Sequence, residues 1–72
     1  MMKSLSQLVV GDIVRDDVLA VITQVTDHGI EYGITVKDVN GYVYSHYLPS
    51  DDRKIQTFPH ITPEIWAAYV AA

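Results

Sequence analysis

Short strand-like segments punctuated by glycine run through most of this chain, from Val10-Gly11-Asp12-Ile13-Val14 to Lys54-Ile55-Gln56. A single helical segment follows them. Strands joined by tight turns in so short a chain point to one compact antiparallel barrel. Seventy-two residues make one domain, 1–72, with the barrel over 10–58 and the helix over 62–72. A chain of this length buries only about 60% of its unfolded surface. It contains no cysteine, so it must rely on its 49% hydrophobic content or on a partner.

The strands read as follows. Ile13-Val14-Arg15 opens the first, after the turn signal Gly11-Asp12. Leu5, Leu8 and Val10 precede it and are expected to cover one end of the barrel. Asp16-Asp17 breaks the first strand. Val18 to Thr26 follows, with Val21, Thr23 and Val25 on one face. Ile30 to Lys37 alternates, placing Ile30, Tyr32, Ile34 and Val36 inward. Tyr42 to Leu48 and Lys54 to Phe58 complete five strands. Pro49 to Arg53 reads as a helical turn or tight loop.

Two turns set the register. Placing Val21 and Val25 inward with Tyr32 and Ile34 needs an even-numbered loop. His28-Gly29 and Thr26 to Gly29 both supply one. The second turn is either a two-residue Asn40-Gly41 or a type I turn with a glycine bulge over Asp38 to Gly41. The two-residue form pairs Val36 with Ser45 and leaves Tyr42, Tyr44 and His46 outside. The bulged form pairs Val36 with Tyr44 and buries those three. The second is favoured because its outer face (Lys37, Thr35, Ser45) is uniformly polar.

The helix begins at Thr62, a good N-cap, with Pro63 and Glu64 suited to the first turn. Ile65, Trp66, Tyr69 and Val70 share one side, and Ala67, Ala68, Ala71 and Ala72 favour helix. So short a helix is not stable alone, so it must dock on the barrel or on another molecule.

The order of these elements resembles an SH3-like barrel. The likeness is carried by Val10-Gly11-Asp12-Ile13-Val14, the meander through Gly29 and Gly41, and Pro49 to Arg53 before Lys54-Ile55-Gln56. The fold class it implies is mainly β, a small five-stranded antiparallel barrel with one C-terminal α-helix. It also implies a 3₁₀ turn near Pro49 to Arg53. SH3 domains proper bind proline-rich peptides, but their acidic loop followed by tryptophan is missing here. Tudor-like barrels cage methylated lysine or arginine in aromatics, a role that Tyr42, Tyr44 and Tyr47 could fill only by converging. Type II dihydrofolate reductases are similar at Gly11-Asp12-Ile13-Val14-Arg15, but their Val-Gln-Ile-Tyr run has no counterpart.

Chemistry-bearing patterns are sparse. His28, His46 and His60 lack metal-ligand spacing, so neither a metal nor another cofactor is expected. Ser45-His46 are strand neighbours whose side chains face opposite ways, which removes the obvious catalytic dyad. No catalytic residue is assigned and an enzyme is not expected.

Net charge is −4, and Lys3, Arg15, Lys37, Arg53 and Lys54 form no basic stripe. That disfavours nucleic acid as a partner. Asp16-Asp17 and Asp51-Asp52 read as acidic loops at one end of the barrel, able to face a basic groove. Tyr47, Trp66 and Tyr69 are the best-placed aromatic contacts. Together these seven residues form the expected partner-binding set.

The expectation is a non-enzymatic protein-binding module or small inhibitor acting on a larger cytoplasmic protein. Its tiny cysteine-free format suggests a phage or other mobile element. The starting methionine and terminal helix lead us to expect a complete small protein. No signal peptide or membrane span is expected. The alternatives are a nucleic-acid-binding barrel using Lys37, Arg53 and Lys54, and a subunit that self-associates through an edge strand or the helix.

Overall fold

A computed structural model describes residues 1–71. Among these residues six strands and one α-helix are formed: β1 (Met2–Ser4), β2 (Ile13–Asp16), β3 (Val18–Asp27), β4 (Glu31–Asp38), β5 (Val43–Pro49), β6 (Lys54–Gln56) and α1 (Pro63–Ala71). The expected helix end at Ala72 lies outside the described residues. Strands β2-β3-β4-β5 make a four-stranded antiparallel meander, and β1 pairs with β6 in a second sheet. The sheets meet where Val14 bridges Thr57 and Phe58 N–H donates to Ile13 O.

The fold is therefore mainly β with one C-terminal helix, but hydrogen bonds do not close it into the expected five-stranded barrel. The outer side of β5 has no strand partner among the described residues. Of the helical turn or tight loop expected at Pro49 to Arg53, the loop form occurs, with bends at Ser50 to Asp52 in place of a 3₁₀ turn. Two features explain the open edge. Strand β6 is only three residues long. It spends its pairing on β1, which the sequence reading missed, and the chain bonds to β2 through Thr57 and Phe58, just beyond β6.

The 3₁₀ turn sits instead at Leu5–Gln7, where the Gln7 side chain accepts from Ser4 N–H at 2.9 Å. That turn drops Leu5 and Leu8 into the core, whereas Val10 is exposed rather than covering one end.

The core lies on one face of the meander. Leu5, Leu8, Val14, Ala20, Ile22, Ile34 and Val36 are buried there, with Val25, Tyr32, Leu48 and Ile55 packed at its margin. Strict alternation of Val21, Thr23 and Val25 fails because β3 carries a bulge. Ile22 pairs with Val36 but Gln24 pairs with Thr35, so Thr23 is the extra residue. One inserted residue reverses the facing of everything beyond it. Ala20 and Ile22 thus share the core face with Val25, while Val21 points to the opposite face. There, Val21 and Ile13 line a crevice with Ile61, Pro63 and Trp66, which is how α1 seats on the sheet.

The turns also depart from the simplest pattern. At the first hairpin His28 N–H donates to Glu31 O at 2.8 Å, so the loop is Gly29-Ile30 rather than either expected span. Gly29 takes φ +85, the conformation a glycine-first two-residue turn requires. Ile30 thereby sits at the tip, 87% exposed, instead of inside. The second hairpin takes the bulged form. Gly41 has φ +88, Asp38 N–H donates to Tyr42 O, and Val36 pairs with Tyr44. The register is the favoured one, but its burial is not: Tyr42 and Tyr44 are exposed and His46 is half-buried. They face the core side at its rim, where no neighbouring strand covers them.

Candidate interaction site

The open edge of the meander carries the features that a partner could use. Strand β5 pairs with β4 on one side only. The pairing is phased at both ends, since Asp38 N–H donates to Tyr42 O and Ser50 N–H donates to Ile30 O. Antiparallel alternation between those points turns the backbone groups of Tyr44, His46 and Leu48 toward β4. The N–H and C=O groups of Val43, Ser45 and Tyr47 therefore point outward. Pro49, with no N–H, ends the outward donor row, a position proline tolerates on an edge strand.

Side chains on this strand and at the residue before it are unusually exposed for their size. Tyr42 is 63% exposed, Val43 60% and Tyr47 64%. Tyr47 lies beside Gly33 on β4, and its ring centroid is 6.3 Å from that of His28. A β-carbon at position 33 would fall 3.3 Å from Tyr47 Cε1 and 3.2 Å from His28 Nε2, so the glycine makes room for both rings. Beside them, Thr35 and Ser45 share a 3.2 Å hydrogen bond across the strands.

Carboxylates mark both ends of β5. At the Tyr42 end, Asp16, Asp17, Asp38, Tyr42, Tyr44 and His46 line a hollow of about 380 Å³. Asp17 sits at the β2–β3 reversal with φ 61. Asp16 Oδ2 is 2.6 Å from His46 Nε2, a contact that spans the two outer strands of the meander. Asp38 is buried, and its Oδ1 accepts from the N–H groups of Asn40 and Tyr42, which fixes the turn. At the other end, Asp51 and Asp52 follow Ser50. The Arg53 side chain donates to both Asp51 oxygens at 2.9 Å, and this bonding holds the Asp51 carboxyl below the usual carboxylate range.

The sequence-derived residues are thus not gathered at one end. Asp16-Asp17 and Asp51-Asp52 lie at opposite ends of β5, roughly 20 Å apart at about 3.3 Å per residue. The meander is the reason: each reversal sends the chain back, so loops one strand apart in sequence fall at opposite ends. Tyr47 lies on the strand between them. Trp66 is half-buried over Ile13 and Val21, and Tyr69 is exposed on α1, whose Trp66 and Val70 also border the β4–β5 turn at Lys37 to Gly41.

Val43, Ser45 and His46 were not singled out as site residues from the sequence. The available signal was the stretch Val39 to Ser50, which contains no formally charged side chain in an otherwise acidic protein.

A second hollow, about 220 Å³, opens beneath His46 onto Val14, Ile22, Ile34, Val36 and Leu48. It is smaller than the roughly 300–1,000 Å³ of ordinary ligand pockets. Among the described residues no three acidic or histidine side chains are grouped so as to hold a metal ion, and no helix is long and apolar enough to cross a membrane.

Comparison with known proteins finds no matching family model, no matching curated protein and no matching solved structure. These comparisons assign the chain to no family, and its strand order by itself assigns none.

Proposed function

We propose that this chain is a non-enzymatic protein-binding module that docks on a larger protein through an aromatic and acidic surface. The observation that carries this reading is the free edge of β5 with exposed side chains on both of its faces, Tyr42 and Tyr44 on the core side and Val43 and Tyr47 on the other. Exposed apolar side chains clustered about one edge of a small domain mark an interaction surface, and tyrosine is enriched among residues that dominate binding energy. Carboxylates at both ends of the strand favour a partner with a basic surface. Its small size suits an inhibitor that acts by occluding part of that partner.

Affinity capture from a lysate of the source organism, read by mass spectrometry, tests the proposal. Wild type is compared with Tyr47→Ala and Tyr69→Ala, both exposed positions that leave the core intact. Recovery of a specific protein by wild type, and its loss with Tyr47→Ala, is the expected result. Identical recovery by folded wild type and both variants overturns the assigned surface. Retention on a nucleic-acid column that weakens with salt would instead support the alternative in which Lys37, Arg53 and Lys54 contact phosphates.

A further inference from the structure

We propose that the outer edge of β5 accepts an extended segment of another protein as an added strand, and that this segment carries a lysine or arginine at each end. The inference rests on the protein-binding reading above and specifies its mode. Val43, Ser45 and Tyr47 present unpaired N–H and C=O groups in one row, the geometry used in recognition by strand addition. No formal charge interrupts the strand itself, so its exposed side chains Val43, Tyr44 and Tyr47 meet the apolar or β-branched middle of the incoming segment.

Charge then selects the ends. The hollow at the Tyr42 end holds Asp16, Asp17 and Asp38 beside two tyrosine rings, a setting that attracts an ammonium or guanidinium group. At the far end Asp52 is exposed and has no ion-pair partner among the described residues, and Glu31 lies across from Pro49. A segment about as long as β5 reaches both.

A second copy of this chain fits the edge less well. Antiparallel pairing of two β5 strands about Ser45 would set Asp16 and Asp17 of one copy near Asp51 and Asp52 of the other. The same clash would repeat at the opposite end. Like charges so apposed, in a protein of net charge −4, disfavour the pairing.

The test uses the full chain labelled with ¹⁵N and a capped probe peptide, Lys-Val-Thr-Val-Thr-Val-Lys, titrated to roughly millimolar concentration, with a glutamate-ended counterpart as control. Saturable amide shifts centred on Val43 to Leu48 are expected. The glutamate-ended peptide, and the double variant Asp17→Asn with Asp52→Asn, should each bind about tenfold more weakly.

Ser45→Pro removes an outward N–H without taking a backbone hydrogen bond from β4 and should abolish the shifts. If that variant does not fold, methylating alternate amides of the lysine peptide makes the same test from the other side. Absence of β5 shifts, equal affinity for the two peptides, or a concentration-dependent dimer protecting β5 in hydrogen exchange each overturns the proposal. The two readings fail separately. Capture from lysate that depends on Tyr47, with no peptide shifts on β5, retains protein binding and removes strand addition.

Discussion

Gly41 and Arg53 show how single residues set this structure. Gly41 has φ +88, and its N–H donates to Asp38 O at 3.0 Å, so one left-handed residue decides whether Val36 meets Tyr44 or Ser45. Apart from its chain neighbours, nothing lies within 4 Å of where its β-carbon would be, so backbone conformation alone penalises a side chain here. Gly41→Ala is expected to cost about 1–2 kcal/mol in urea unfolding, with the Val36–Tyr44 pairing retained in NOE spectra. Arg53 acts on charge. Its side-chain hydrogen bonds, followed by its backbone N–H, lower the pKa of Asp51. A carboxyl lowered in the folded state adds stability above its unfolded pKa, and loses it as pH falls through the folded value. Arg53→Ala should therefore move the Asp51 carboxyl ¹³C titration upward toward the ordinary range. Both partners are exposed, so the titration is the measurement of choice rather than stability.

The N-terminal segment shows what an element contributes beyond its own length. Strand β1 is three residues and the following 3₁₀ turn another three, yet Leu5 is only 2% exposed and ranks among the most deeply buried side chains. Thr57, also buried, donates both its N–H and its hydroxyl to Met1 O, which ties this segment to the end of β6. Leu5→Ala should destabilise the whole domain by about 2–5 kcal/mol, measured by the urea midpoint at constant m-value. A segment that merely lay over one end of the sheet would give a much smaller change. The helix α1 behaves differently. Thr62 Oγ1 accepts from Ile65 N–H at 3.3 Å as a cap, and Trp66 is half-buried, but Ile65, Tyr69 and Val70 remain exposed. The expected docking on the sheet is thus centred on Trp66, with Pro63 and Val70 at its margins.

At the scale of the whole molecule, the meander curls until its outer strands approach each other without sharing backbone hydrogen bonds. The side-chain contact of His46 with Asp16 spans that gap above the 220 Å³ hollow. Both side chains remain substantially exposed, so the contact contributes only about 0–1 kcal/mol of stability. His46→Ala should therefore leave the urea midpoint nearly unchanged. Hydrogen exchange at Arg15 and Asp16 should rise, because the gap then has no link between strands at that level. A large loss of global stability would show instead that the contact is part of the core.

Much of the architecture was legible because it depends on local chemistry. The β-branched runs, the aspartate and glycine spacing of the second hairpin, and the Thr62-Pro63-Glu64 helix start each act over a few residues, and the structure shows them. The sequence thus determined a mainly β chain with one terminal helix, and it favoured, of two registers, the pairing of Val36 with Tyr44 that the structure shows. Tertiary structure alone decided the bulge at Thr23, the outward turn of Val21, the strand at Met2–Ser4 and the openness of β5. It also separated Asp16-Asp17 from Asp51-Asp52. The physical reason is that pairing between distant segments depends on which edges remain unfilled. The facing of a side chain beyond a bulge likewise depends on a residue count taken across two strands, which no local pattern records.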